Sequence, residues 1–149
     1  MSTWVRALAV VSLAWMGGCP RAGDASSSGG EVHARQTWRF RVDGVGEQVY
    51  EVTAVTATDV EYLVRTVVDG APIGEPLAQR FPRSPGPGPL ESGEAGAPLV
   101  LGELRLDTWI TTQGTDRVTT AVSGRSPRFP GVLKVERGDD VILELVDVR

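Results

Sequence analysis

Only a few residues in this 149-residue chain are of types that make or break bonds, and they are few enough to name: one cysteine, Cys19, one histidine, His33, and scattered carboxylates. A zinc site needs three or four converging His, Cys or carboxylate ligands, and a nucleophilic serine needs a histidine beside it. A lone histidine between a polar stretch and the first apolar-periodic segment supplies neither, so His33 reads as an exposed linker residue. Asp139-Asp140 follows Gly138 in a turn-like position, where aspartate normally closes a local hydrogen bond to the backbone. A calcium loop needs six or more oxygens at suitable spacing, and none surrounds that pair. Glu51 and Glu61 fall on the polar faces of alternating segments. The glycines of "GVGEQ" and "GPGP" do not lead from a strand into a helix carrying a lysine, so no phosphate loop is present. The sequence therefore predicts no enzyme, no metal and no cofactor.

Cys19 stands in a different setting. It follows "ALAVVSLAWM", Ala7 to Met16, which is apolar except for Ser12 and is preceded by the single cation Arg6. A spanning helix needs roughly 20 apolar residues, and this run has about half that. Its proportions are those of the apolar region of a secretory signal peptide, predicted over residues 1–18 and set aside from the fold.

Met16-Gly17-Gly18-Cys19 resembles the lipobox of bacterial lipoproteins: an aliphatic residue, two small residues, then cysteine. That resemblance implies a thioether-linked diacylglycerol on Cys19, further acylation (palmitate among the chains), and cleavage before it. Several acyl chains on one terminus give stable anchoring, since each buried methylene contributes about 0.8 kcal/mol. The resemblance places the protein in the cell envelope, lipid-anchored. Pro20 replaces the aspartate that commonly retains such proteins at the inner membrane, so the expected destination is the outer membrane, facing the periplasm.

"PRAGDASSSGG", residues 20–30, is small and polar, and with Cys19 forms a flexible tether over 19–30. Stretched, those residues reach roughly 35 Å. Loss of the leader removes one arginine and no acid, making a net charge of −4 more negative by one. A mildly acidic chain with dispersed arginines makes a nucleic-acid surface unexpected. The expected partners are the membrane, through the acyl chains, and an envelope protein or apolar ligand.

Residues 31–149 read as one all-β domain. "TWRFRV" alternates strictly, with Trp38, Phe40 and Val42 on one face. "DGVG" then supplies hairpin residues. In the next segments Tyr50, Val52 and Ala54 share a face, as do Val60, Tyr62 and Val64, giving an antiparallel meander. Arg39 and Arg41 could pair with Glu51 across the hairpin.

The stretch from Gly70 to Pro98 carries seven of the ten prolines and six glycines. It allows a short edge strand at "PLAQRF" and predicts a shapeless Pro/Gly-rich loop at 84–98. Strands resume at "LVLGELRLDTWITT", with Val100, Leu104, Leu106 and Ile110 on one face, then "RVTTAVS", "PGVLKVER" and "VILELVDV". The count is seven to eight strands with no helix, in a single antiparallel, strongly curved sheet, a half-barrel or a small sandwich.

"LGELRLDTW", "SPRFPGVLKVER" and "LELV" together resemble the C-terminal half of certain envelope lipoproteins of uncharacterised function, over about 45 residues. That resemblance implies a curved half-barrel, an architecture also used by carriers that shield acyl chains. Trp38, Phe40, Tyr50 and Tyr62 would line a concave face, or would equally fill an ordinary core. Trp109, opposite Leu106 and Ile110, would be exposed. The expected function is that of a non-catalytic structural or interaction protein. Binding of an acyl chain or other apolar ligand on the concave face is the alternative.

Overall fold

The computed structural model describes residues 31–149, so the leader, Cys19 and the tether lie outside the described residues. Ten strands and no helix occur among those described: β1 (Thr37–Val42), β2 (Gly46–Val55), β3 (Asp59–Val68), β4 (Ala71–Pro82), β5 (Glu94–Ala95), β6 (Leu99–Leu101), β7 (Leu104–Gln113), β8 (Asp116–Ser123), β9 (Ser126–Arg137) and β10 (Asp140–Val148). They form one antiparallel sheet in the order β4-β3-β2-β1-β10-β9-β8-β7-β5, with β6 also on β7. The all-β expectation holds, and the count is ten instead of seven to eight. Two short pieces account for the excess. Glu94–Ala95 adds a two-residue strand inside the proline-rich stretch. A turn at Gly102-Glu103 splits one expected strand into β6 and β7.

Two meanders spread outward from the central pair β1 and β10. Their turns follow local chemistry. Asp69 (φ 51°) and Gly70 (φ 82°) join paired Val68 and Ala71, the double left-handed geometry of a two-residue hairpin whose twist suits the flanking strands.

The sheet is not closed, yet it curls hard. β4 lies five strand positions from β9, roughly 24 Å away in a flat sheet at about 4.8 Å per step. Instead the Phe81 ring on β4 sits 6.0 Å from that of Phe129 on β9. On the other side β6 reaches β10. Both margins fold inward over the same face, which makes it concave.

Two pattern readings shift. A bulge between Val52 and Ala54 displaces Ala54, and Val55 packs against the core in its place. Likewise the turn at Gly102 points Leu99 and Leu101 at the core and leaves Val100 exposed. The convex face carries charges in pairs: Arg39–Glu47 (3.7 Å), Arg41–Glu144 (3.7 Å) and Arg65–Glu51 (3.3 Å). Glu51 thus takes its cation from β3 and not from β1, because its β1 partner in the register is Thr37.

Candidate functional site

The concave face is built from cross-strand rows. One row runs Phe81–Val60–Val55, the next Gln79–Tyr62–Val52, the next Leu77–Val64–Tyr50–Trp38–Val148. Then come Ile73–Thr66–Gln48–Phe40–Leu145 and, last, the pair Ala71–Val68 beside the run Gly46–Val42–Leu143–Val135. The four aromatics singled out in the sequence, Trp38, Phe40, Tyr50 and Tyr62, do share this face. They are not equivalent on it. Trp38 and Phe40 are fully buried, Tyr62 is 7% exposed, and Tyr50 is half-buried.

What covers them is Phe129. Its ring lies 5.4 Å from Trp38, 5.0 Å from Tyr62, 6.0 Å from Phe81 and 6.3 Å from Tyr50, with three of these contacts near perpendicular. Tyr50 further contacts Phe40 (4.6 Å) and Tyr62 (5.1 Å). Edge-to-face contacts of this kind contribute about 0.5–1.5 kcal/mol each beyond burial. Phe129 lies in "SPRFPG", where Pro127 and Pro130 made the strand seem to begin at Pro130. β9 in fact starts at Ser126. The alternation Pro127, Phe129, Gly131, Leu133 was the available signal. Burial pushes the Tyr50 phenol up from its ordinary range, and burial, with the neighbouring Tyr50, pushes the Tyr62 phenol well above it.

The cup has a closed end and an open one. At the closed end lie Phe81, Val60, Val52 and Trp38. There the chain also enters: Val32 packs against the core and Arg35 N donates to Val52 O at 2.8 Å. At the open end lie the turns 43–45, 69–70, 114–115 and 138–139. None of the six residues of the last concave row is buried. Along the same edge β4 forms a wing, with Leu77 60% and Ile73 54% exposed, and Val45 and Val141 stand exposed at the turn and strand near the open end. The Pro72, Gly74 and Pro76 spacing hid this wing from the period-two reading.

Trp109 lies on the opposite face, half-buried and engaged. Its Nε1 donates to Ser92 O at 2.8 Å, and the Arg125 guanidinium sits 4.8 Å above its ring. Arg125 also donates to Leu90 O and accepts from Leu90 N, while Thr108 Oγ1 donates to Ala97 O at 2.8 Å. The proline-rich stretch is therefore docked, with Gly86 and Pro87 buried, where the sequence predicted no fixed shape. A Cβ on Gly93 would collide with Ile110 O, so only glycine lets the stretch lie this close to β7. A cavity of about 180 Å³ remains beneath it, lined by Leu90, Ser92, Thr111, Gln113 and Val132 among others. Ligand pockets usually run from about 300 Å³ upward, so this one is small.

Among the described residues no group of three or more His, Cys, Asp or Glu is placed to hold a metal. No family model, curated protein or solved structure matches the chain.

Proposed function

We propose that this chain is a lipid-anchored envelope protein that works by non-catalytic contact. Cys19 carries the acyl chains, and the open end of the curved sheet meets a partner. One observation supports contact above enclosure. The deep part of the concave face is filled by its own rings around Phe129, and four of the five large exposed apolar side chains, Val45, Ile73, Leu77 and Val141, stand at the mouth or on the β4 wing, Val100 on β6 being the fifth. Exposed apolar patches on a folded domain usually mark interaction sites. Under this reading Trp38 and Phe40 are core, half-buried Tyr50 and buried Tyr62 pack beside them, and Trp109 holds a loop.

The alternative, an acyl chain or other apolar ligand, draws on the unburied last row, Ala71 to Val135, which is apolar across six strands. Labelling cells with radioactive palmitate tests the anchoring. The parent should be labelled and should sediment with envelope membranes, and Cys19→Ser should lose both. Equal labelling of the two, or a soluble parent, refutes it. Native mass spectrometry of the released protein separates the two readings, since a retained acyl mass favours the ligand.

A further inference from the structure

We propose that the mouth of the cup docks a polypeptide segment whose apolar residues are flanked by lysine or arginine. This deepens the contact reading and rests on it, but not on lipidation of Cys19.

The exposed apolar side chains run along one strand: Ile73 and Leu77 on β4 are 54% and 60% exposed, beside the half-buried residues of the last row. Beneath that row Phe40 and Leu145 are buried, so its floor is shallow. Leu77 and Ile73 form one raised wall.

Strand addition at the β4 edge is disfavoured. Pro72, Pro76 and Pro82 offer no amide hydrogen, and a bulge opposite Arg65 breaks the ladder. The segment must lie against side chains.

Charge selects its chemistry. Asp43, Asp69, Glu75, Asp139 and Asp140 are exposed around the open end, and none makes an ion pair among the described residues. The cations nearest them are already engaged: Arg41 with Glu144, Arg117 with Glu136, and Arg137 with Asp116 at 2.8 Å. The rim therefore repels the carboxylate or phosphate of an acyl ligand and attracts flanking cations, steering a basic segment to the apolar floor.

The test uses the full chain in detergent and fluorescence anisotropy with labelled peptides of about nine residues. One has a leucine-valine centre between lysine pairs, and the other the same centre between glutamate pairs. The lysine probe should bind at least about tenfold more tightly, and should weaken about tenfold between roughly 0.05 and 0.5 M salt. Ile73→Ser with Leu77→Ser should weaken it by a similar factor. Asp69→Asn with Asp139→Asn and Asp140→Asn should abolish the preference for lysine over glutamate. All five positions are exposed, so these variants keep their fold.

Equal binding of both probes, or indifference to the Ile73 and Leu77 changes, overturns the inference. A glutamate probe bound equally well at the same mouth leaves the contact reading intact and removes only the charge rule. Oleate bound in place of either probe overturns both in favour of the apolar ligand.

Discussion

Phe129 is the residue on which the packing of the β4 margin over β9 turns. Its ring touches four others drawn from β1, β2, β3 and β4. Phe129→Ala should therefore cost about 3–5 kcal/mol, read as a lowered urea midpoint, with Phe129→Leu well below that. An Ala variant within 1 kcal/mol of the parent, roughly the effect of a surface change, would show that β4 folds over β9 without it. The tyrosines make a second residue-scale prediction. Both phenols are held neutral by burial, so the folded chain keeps protons that the unfolded chain releases above about 10. Stability should be flat below that range and fall as pH rises through it, by about 1.4 kcal/mol per unit for each phenol kept neutral. Tyr62→Phe, measured by circular dichroism against pH, should unfold at higher pH than the parent. An unchanged midpoint would mean the phenol ionises in place.

Among the elements, the proline-rich stretch is the one whose order depends on single polar contacts. Trp109 to Ser92, Arg125 to Leu90 and the close approach at Gly93 fix it to β7 and the β8–β9 turn. Gly93→Ala or Arg125→Ala should free it, giving rapid proteolytic cleavage between residues 84 and 98. The rest of the domain should lose no more than about 1–2 kcal/mol. Resistance equal to the parent would show the stretch is held by its buried Gly86 and Pro87 alone. These contacts also mark what the sequence could and could not convey. Strict alternation in "TWRFRV" gives a face directly, because a pleat has period two. A docked loop depends on partners distant in sequence, as Arg125 is from Leu90, and no local period records that. Prolines caused the remaining misreadings. They obscured the start of β9 before Phe129 and the first half of β4 carrying Ile73, while the edge strand expected at "PLAQRF" is the second half of β4, since a strand tolerates proline at an edge or a bulge while a pattern reads it as a break.

In the molecule as a whole, the middle of the sheet is made by β1 and β10, so Trp38 pairs with Val148. Removing residues 143–149 would strip the neighbour from both β1 and β9 and separate the two meanders. Such a truncation should abolish the cooperative melt seen by circular dichroism, whereas a cooperative transition near the parent's would show that one meander folds alone. Pairings this distant in sequence place the domain among slow folders, in milliseconds to seconds.

The position of β10 also orders events during synthesis. A ribosome must release residue 148 before the strand that joins the meanders exists. Until then the nascent chain presents β1 and β9 with bare edges and cannot bring Phe129 over Trp38. For that interval both edges are templates for pairing with any other extended chain they meet.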